Sequence, residues 1–299
     1  MNSAPALLKL SPEFLAIAKQ ELSALPKLSR VDQETSLSDL LSIDKFPVQA
    51  ARLRRYVDLR PGQKSLEVGC GYGISIASLI RNFWVDGIGI EPPNYSEFPG
   101  GVVASRELFR SNDLDERRIV DGFGEQIPFA SNSFDLVYSL NVLEHTTSPV
   151  DVLRESLRVL RPGGIPFFEI PNFMSFFEGH YHVITPPILS KRIVKVLIKF
   201  LYRRDTKFLA HLHTEINPLW MMRTLRKLKR HYEFELLTLG QEEFRQRFSG
   251  EFRFEQQQSR HRLEKLVRVA QRLNKLIPLS NLFIATKTYY PIYLVLRKS

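Results

Sequence analysis

The chain has 299 residues, of which 43% are hydrophobic and 25% are charged, a balance that excludes a disordered or fibrous chain and is typical of a globular protein. Its single cysteine, Cys70, excludes an internal disulfide framework. We expect neither a signal peptide nor a membrane span, because no stretch approaches about 18 uncharged apolar residues and the apolar run near Leu7 lacks a basic lead.

The net charge of +10 is concentrated in the second half of the chain. Residues 1–170 carry 18 Lys and Arg against 22 Asp and Glu, whereas residues 171–299 carry 24 against 10. This asymmetry indicates an anionic partner for the second half, such as phospholipid, nucleic acid or a phosphorylated substrate. A solvated basic surface without such a partner is the alternative.

The first half of the chain alternates strand and helix patterns. In chain order we predict a helix at 48–59, strands at 64–69 and 85–90 around a helix at 75–83, short strands at 100–104 and 117–121, a strand at 134–139, a helix at 151–160 and a strand at 165–170. Strands that alternate with helices predict a parallel sheet covered on both faces. After Pro171 the alternation stops until a strand at 233–238, a basic helical stretch at 240–280 and a last strand at 289–296.

Three glycines at every second position follow the first predicted strand: Gly69, Gly71 and Gly73. Glycine tolerates positive φ and has no side chain, so such a turn lets the backbone approach a ligand closely. Glu91 ends the next strand about 20 residues on, where an acid can bind two ribose hydroxyls. The pattern predicts a nucleoside site.

The spacing of the glycines indicates which nucleoside. The run reads G-x-G-x-G and lacks the last glycine of the dinucleotide fingerprint G-x-G-x-x-G, whose turn meets a pyrophosphate. Glu67, at the strand end, would repel a pyrophosphate and attract an amino group. A nucleoside that carries an ammonium group fits better, and S-adenosylmethionine is one.

The run Leu66–Gly73 resembles motif I of the class I S-adenosylmethionine-dependent methyltransferases. The likeness continues in order through Gln126–Phe129, Asn132–Val137, Leu143–His145 and Val159–Gly164, and it covers about residues 50–172. The resemblance implies an α/β, Rossmann-like, seven-stranded, mostly parallel sheet with helices on both faces, an antiparallel last strand, and S-adenosyl-L-methionine as the cofactor. It also implies a basic helical insertion after the fifth strand.

On this basis we divide the chain into four parts. These are an N-terminal helical extension at 1–46, an S-adenosylmethionine-binding core at 47–172, a helical substrate-cap insertion at 173–232, and a C-terminal part of the core with basic helices and the last strand at 233–299.

The predicted cofactor-binding residues are Glu67, Gly69, Cys70, Gly71, Gly73, Glu91, Pro92, Phe123, Gly124, Glu125 and Asn141. By the resemblance, Glu67 faces the methionyl ammonium and Glu91 binds the ribose diol. Asn141 follows the fourth strand and is expected beneath the methionine portion, because ligands of open parallel sheets bind beyond the carboxyl ends of the strands.

The adenine pocket departs from the family pattern. Family members often carry an acid at the position of Phe123. An aromatic face can support a base without hydrogen bonds, so Phe123 could stack on adenine while Gly124 or Glu125 supplies a polar contact. Phe123 as an ordinary core residue is the alternative.

Two histidines are candidate catalytic bases. His145 follows the fourth strand at the reaction end, where an imidazole can act as general base; the alternative is that it orients the loop. His211 lies in a segment that resembles a feature shaping the substrate pocket in this family. His180 and His182, like His211 and His213, form a His-x-His pair, but no cysteine accompanies them and no spacing is diagnostic, so we predict no metal site.

Basic helices are predicted at 188–204, 219–230 and 260–276. In the first, Lys191, Lys195 and Lys199 recur every four residues beside a wide apolar face, a pattern that fits either an anionic membrane surface or packing of that face on the core. Nucleic acid is less favoured, because these helices lack the interleaved aromatic residues that stack unpaired bases.

The sequence thus predicts an S-adenosylmethionine-dependent methyltransferase that methylates oxygen on a small amphiphilic or anionic molecule of the lipid, quinone or sugar type. No Asp-Pro-Pro-Tyr or Asn-Pro-Pro-Tyr follows the fourth strand, the family's mark of enzymes that methylate exocyclic nitrogens of bases. The alternatives are an RNA methyltransferase and a non-catalytic methyltransferase-like scaffold at a membrane. We expect a cytoplasmic protein, peripheral to the inner face of a membrane.

Overall fold

The computed structural model describes residues 7–24, 41, 46–93, 101–181, 183–187, 190–249 and 277–299. The strands are β1 (Lys64–Val68), β2 (Asp86–Glu91), β3 (Ile119–Asp121), β4 (Phe134–Leu140), β5 (Leu160–Ile170), β6 (Phe177–Glu178), β7 (Val183–Ile184), β8 (Phe234–Thr238) and β9 (Ile292–Lys298). The helices are α1 (Pro12–Ala24), α2 (Phe46–Leu53), α3 (Ile74–Phe83), α4 (Gly101–Ser111), α5 (Pro149–Val159), α6 (Lys191–Phe200), α7 (Pro218–Leu228), α8 (Gln241–Ser249) and α9 (Ile277–Ala285).

A seven-stranded sheet with the strand order β3-β2-β1-β4-β5-β9-β8 forms the centre of the fold. Neighbouring strands from β3 to β5 run parallel, and β9 is antiparallel to both β5 and β8. This arrangement confirms the predicted mostly parallel sheet with an antiparallel last strand. β6 and β7 form a separate two-stranded hairpin.

Both faces of the sheet are covered, which explains the near-continuous apolar runs of its strands. Alternate residues of β4 point to opposite faces: Leu136 and Tyr138 join a core closed by α1 to α4, and Val137 joins a core closed by α5 and α7. Leu66 on β1 lies on the second face. The sheet is thereby held rigidly between two apolar layers.

The predicted strand at 100–104 is wrong, because residues 101–104 begin α4 and residue 100 lies outside the described residues. Val102, Ser105 and Phe109 are all buried, with spacings of three and four residues that match a helix rather than a strand. A window of five residues is too short to show the helical period of the buried positions. The strand at 117–121 is confirmed only for Ile119–Asp121.

Helix ends differ from the predictions by a few residues. α5 begins after Ser148, whose side chain accepts a hydrogen bond from the backbone N–H of Asp151, and it gives way to β5 at Leu160, before the predicted stop. The helical stretch predicted at 240–280 contains α8 and the start of α9, and the basic helix predicted at 260–276 lies outside the described residues.

The segment between β5 and β8 is divided between two cores. Tyr181, Ile198 and Leu209 belong to a small apolar cluster that joins the hairpin to α6. Met221 and Leu225 of α7 belong to the main core instead. Within the segment predicted to be a cap, the hairpin and α6 thus pack together in a small cluster of their own, whereas α7 packs against the sheet. Among the described residues, no helix has the length and apolar character needed to cross a bilayer.

The N-terminal helix α1 packs on α4 and joins the core that contains Leu136 and Tyr138, on the opposite face of the sheet from α7. Ser11 accepts a hydrogen bond from the backbone N–H of Phe14 at 3.1 Å and donates one to Glu107 at 2.8 Å. The Phe14 ring is buried and meets the Tyr72 ring edge-on at 6.0 Å. Because Tyr72 lies within the glycine turn, α1 supports the loop that follows β1.

We predict that Phe14→Ala lowers the free energy of unfolding by about 3–5 kcal/mol, the usual cost of removing a buried phenylalanine ring. Denaturant unfolding followed by circular dichroism measures the change. Leu7→Ala is the matched control, because Leu7 is exposed in the same segment and its loss should cost little. Equal stability of the Phe14 variant and the control would show that α1 is not part of the cooperative fold.

Candidate functional site

The strand order places a crevice at the carboxyl ends of β1 and β4. β1 and β4 are neighbours, but the strand that follows each in the chain lies on opposite sides of this pair: β2 lies beside β1, and β5 lies beside β4. Such a topological switch point is where open α/β sheets bind ligands. The glycine turn follows β1 and Asn141 follows β4, so both predicted motifs reach the same edge of the sheet.

All three glycines of the turn have positive φ, a conformation that favours glycine. Gly69 has φ of 71°, and a Cβ there would lie 2.5 Å from a methyl group of Val142 in the loop after β4. Gly71 has φ of 51°, and apart from its two chain neighbours no described residue has an atom within 4 Å of the position that its Cβ would take. The turn is therefore packed against β4 on one side and open to a ligand at Gly71.

Glu91 ends β2 beside this open position. Its Oε2 accepts a hydrogen bond from the backbone N–H of Gly71 at 2.8 Å. Burial raises the pKa of Glu91 to about 7, although the Gly71 N–H partly offsets that rise. A carboxylate placed here can accept hydrogen bonds from a diol when it is ionised. Pro92 follows it, partly buried.

Glu67 lies at the opposite side of the turn and ties three elements together. Its Oε2 accepts hydrogen bonds from the backbone N–H of Ile76 at 3.0 Å and from the Tyr138 hydroxyl at 3.1 Å. Ile76 is in the first turn of α3, which begins after Gly73. Burial raises the pKa of Glu67 to about 8 against these hydrogen bonds. Contact with a methionyl ammonium remains a prediction.

Cys70 contributes its backbone rather than its thiol to the turn. Its N–H donates to Ile90 O at 3.1 Å. The thiol packs against β2, where a Cβ added at Gly89 would lie 2.7 Å from the sulfur. Burial raises the pKa of the Cys70 thiol, so it is a poor nucleophile.

The predicted adenine contacts occupy different environments. Phe123 is 52% exposed, so it is not an ordinary core residue. Gly124 is buried, and a Cβ there would lie 2.9 Å from a valine methyl group of β1. Glu125 accepts hydrogen bonds from the backbone N–H groups of Thr147 at 2.6 Å and Ser148 at 3.3 Å. Its Oε1 therefore holds the loop before α5, and Phe123 is the residue whose side chain is available to a ligand.

Asn141 lies at the end of β4 with φ of 55°, a left-handed conformation that asparagine tolerates better than most residues. Its backbone N–H donates to Glu169 O at 2.8 Å. The side chain is exposed at the carboxyl edge. This position agrees with a ligand contact, and the contact itself remains a prediction.

His145 lies in a cluster that the sequence did not predict. Its Nε2 is 3.3 Å from Nε2 of His180, and Nδ1 of His180 is 2.8 Å from a carboxylate oxygen of Glu178. Glu144 lies between the rings, fully buried, with Oε1 3.7 Å from His145 Nε2 and 3.6 Å from His180 Nε2. Burial lowers the pKa of His180, but Glu144 and Glu178 outweigh it and raise the pKa to about 10.

His211, the other candidate base, is not part of this cluster. It is exposed on the surface. Its neighbour His213 comes closer, because the His213 backbone N–H donates to Glu144 O at 2.9 Å while its ring pairs with Glu215. His182 lies outside the described residues. The His-x-His spacing therefore did not indicate which histidines meet, since His180 meets His145 across the sheet edge.

Comparison with known proteins gives matches centred on this core. The sequence profile of a methyltransferase-domain family matches residues 66–168, from β1 to β5. A sterol 24-C-methyltransferase of Gibberella zeae is 33% identical over 126 residues, covering 41% of this chain and 32% of that protein. A ubiquinone biosynthesis O-methyltransferase of Pseudomonas putida is 32% identical over 143 residues, covering 47% of this chain and 57% of that protein. The chain thus spans about half or less of these relatives.

A solved structure supports the fold over most of the chain. It is a protein from Galdieria sulphuraria proposed to be a sarcosine dimethylglycine methyltransferase, with a TM-score of 0.52, 15% identity, and coverage of 86% of this chain and 85% of that one. At this identity the likeness concerns the fold alone. The profile match ends before the hairpin and α6, so the segment that brings His180 to His145 lies beyond it.

We predict that Glu67→Gln becomes progressively more stable than the unchanged protein as the pH rises from 5 to 9. The folded protein keeps the Glu67 proton up to about pH 8, whereas the unfolded chain releases it near the ordinary value of 4.5. The stability due to this proton is therefore present at low pH and is lost as the pH rises through 8. Gln carries no charge and still accepts the hydrogen bonds.

Denaturant unfolding at a series of pH values tests this difference. It should grow by a few kcal/mol, because each unit of pKa difference is worth about 1.4 kcal/mol. Glu235→Gln, at an exposed position on β8, is the control and should show no such trend. A constant difference for Glu67→Gln would mean that the buried carboxylate is already ionised at pH 5.

Proposed function

The chain belongs to the class I S-adenosylmethionine-dependent methyltransferase family, and from that premise we propose that it transfers a methyl group from S-adenosyl-L-methionine to a small-molecule acceptor. The observation that carries the proposal is the glycine turn, open at Gly71 and hydrogen-bonded there to the buried Glu91. The acid lies where ribose hydroxyls would be bound, at the switch point of the sheet.

The residues at this edge fit the cofactor. Gly71 leaves room for a close backbone approach, Glu91 supplies a hydrogen-bond acceptor, and the exposed Phe123 ring offers a flat apolar face for a base. When bound, S-adenosylmethionine supplies a methyl group on a positively charged sulfur. Burial raises the pKa of Glu67 to about 8 and of Glu91 to about 7, and a cationic ligand at the turn would favour the ionised form of both acids.

The acceptor is proposed to be a small amphiphilic or anionic molecule, methylated on oxygen. The proposal of this class draws on the mixed apolar and charged surroundings near the His145 cluster, where Phe173 and Leu209 lie beside Glu178 and Lys191. The two curated relatives act on a sterol carbon and in ubiquinone biosynthesis on oxygen, so the shared core does not select the atom.

The chain's own contribution to the reaction is positioning and proton removal. Holding acceptor and methyl group within reach converts an encounter into an intramolecular step. A hydroxyl acceptor must also lose its proton during transfer. Of the two predicted bases, His145 is better placed than the exposed His211, because it is partly buried beside Glu144 at the carboxyl edge.

We predict that Glu91→Gln weakens binding of S-adenosylhomocysteine, the demethylated and stable product, by about 10- to 100-fold, the scale of a lost hydrogen bond to a charged group. The unchanged protein should bind about tenfold more tightly at pH 8 than at pH 6. Its Glu91 has a pKa of about 7 and must be ionised to accept two hydroxyl donors.

Isothermal calorimetry at both pH values gives the two affinities. The ligand's own amino group titrates near pH 8 in both proteins, so the difference between them isolates Glu91. Glu235→Gln should match the unchanged protein. Unaltered affinity in Glu91→Gln would remove the ribose assignment, and absence of any binding would favour the scaffold alternative.

We further propose that α6 docks on an anionic membrane surface, which would make the protein peripheral to the inner face of a membrane. Ile193, Val196 and Phe200 are 48%, 53% and 70% exposed, and their spacing places them on one side of the helix. Lys195 and Lys199 lie next to them and are also exposed. An exposed apolar stripe bordered by lysines is the pattern of a helix that lies in a lipid interface.

Other elements do not offer this combination as clearly. Ile198, on the opposite side of α6, is buried in the small cluster of the insertion, so the helix already has its protein contact. α7 exposes Arg226 and Lys227 but buries Met221 and Leu225 in the main core. Its surface is basic without a comparable apolar stripe.

We predict that Val196→Ser with Phe200→Ser abolishes binding to vesicles that contain phosphatidylserine and leaves the melting temperature unchanged. Lys195→Gln with Lys199→Gln should weaken binding by about 2 kcal/mol at low salt, since each basic residue near the surface contributes about 1 kcal/mol. Flotation with and without phosphatidylserine measures both effects.

Arg226→Gln with Lys227→Gln is the charge-matched control on α7 and should bind like the unchanged protein. Equal loss in the control would mean that total charge, rather than α6, governs binding. If the unchanged protein ignores vesicles and binds RNA, the membrane proposal fails and the nucleic-acid alternative gains support.

A further inference from the structure

We propose that Glu144, His145 and His180 form a binding site for a zinc ion. The sequence analysis predicted no metal, because it paired His180 with His182 and found no diagnostic spacing. The fold instead brings His180, from the loop between β6 and β7, against the Glu144–His145 pair after β4. The three donor atoms belong to two distant segments, so the site exists only in the folded chain.

The donor atoms have the spacing that zinc requires. The two Nε2 atoms are 3.3 Å apart, and the Glu144 Oε1 lies 3.7 Å from one and 3.6 Å from the other. Zinc binds nitrogen and oxygen at about 2.0–2.2 Å, and tetrahedral angles then separate neighbouring ligands by about 3.4 Å. A His₂Glu triangle of this size accommodates the ion and leaves its fourth position to water or another small ligand.

Glu144 supplies the independent sign that a cation belongs here. The residue is 0% exposed, and neither carboxylate oxygen has a hydrogen bond within 3.5 Å among the described residues, because the two imidazole nitrogens approach Oε1 only to 3.6 and 3.7 Å. A buried carboxylate whose pairing contacts are this long is costly to the fold. A metal ion between Glu144 and the two imidazoles would satisfy it.

The surroundings orient His180 as metal sites orient their ligands. Its Nδ1 lies 2.8 Å from Glu178, whose other carboxylate oxygen accepts the Tyr181 backbone N–H at 2.6 Å. Donation from Nδ1–H leaves the Nε2 lone pair free to face the ion, the arrangement of a carboxylate–histidine–zinc relay. The rings of Phe173 and Phe208 flank His180 at 6.2 and 5.5 Å and limit access of water.

A bound ion would change the role of His145. With Nε2 engaged as a ligand, His145 could not take up a proton at that atom and would not act as the free base expected from the sequence. The competing account of the same geometry is a proton held on His180 between Glu144 and Glu178. The two accounts differ in whether the folded protein takes up zinc.

The test uses the full chain, stripped with a chelator and then titrated with zinc and, separately, with cobalt(II). We expect about one zinc per chain, a rise in melting temperature on addition of zinc, and visible absorption of four-coordinate cobalt. His180→Asn and Glu144→Gln should lose at least 100-fold in zinc affinity. Glu178→Gln keeps all three ligands and should lose about 10- to 100-fold, the usual effect of an outer-shell partner.

His213→Asn is the matched control, because His213 lies beside the cluster but pairs with Glu215. It should bind zinc like the unchanged protein. No stoichiometric uptake by the unchanged protein, or equal uptake by His180→Asn, would overturn the proposal in favour of the held proton. If a ligand variant fails to fold, the folded Glu178→Gln still decides the matter, because unaltered affinity there contradicts the site.

The zinc site and the proposed methyl transfer can fail separately. S-adenosylhomocysteine binding by the chelator-treated protein reports on the glycine turn and Glu91, which share no residue with the zinc ligands. Zinc uptake without cofactor binding would leave the metal site in place and remove the proposed function. Cofactor binding without zinc uptake would leave the proposed function in place and remove the metal site.

Discussion

Two buried carboxylates, Glu67 and Glu91, face each other across the glycine turn, and the geometry of the crevice depends on them. Glu67 joins β1, β4 and the start of α3, while Glu91 holds the N–H of Gly71. Burial raises the pKa of both, and the charge of Glu91 raises the pKa of Glu67 further. Ionising two acids buried in this way is costly to the fold unless a cation pairs with them. In the proposed complex, the ammonium and sulfonium charges of the cofactor do so, which gives the turn a physical reason to prefer that ligand.

The sequence predicted the core well because local chemistry sets it. The turn at Gly69 and Gly71 requires positive φ, and the apolar runs that flank it can only be buried strands. The strand predicted at 100–104 failed because five residues are too few to separate a helical period from an extended one; only the longer α4 shows it. Glu125 was expected at the adenine, yet backbone N–H groups 22 and 23 residues later engage it. Contacts of that kind are tertiary and have no local signature.

The pairing of His145 with His180 could not be predicted from the sequence. His145 was singled out by its place after β4, which follows from the order of motifs. Its partner His180 lies 35 residues away in the insertion, and their meeting depends on how the hairpin packs against the sheet. The resemblance of its segment to a family feature offered His211 as a second candidate base, and this residue is exposed. Only packing of Tyr181 and Leu209 in the small cluster fixes which histidine faces Glu144.

The division between core and insertion also bears on what the protein acts on. The profile match ends with β5, and relatives that share the core methylate different atoms. Cofactor binding can therefore be argued from the core, but choice of acceptor must arise where the insertion meets it. Glu144 and His145 come from the core and His180 and Glu178 from the insertion, so both parts contribute charged groups to a shared site at their junction. The exposed stripe of α6 belongs to the same insertion, which is consistent with an acceptor that reaches the cluster from a lipid surface.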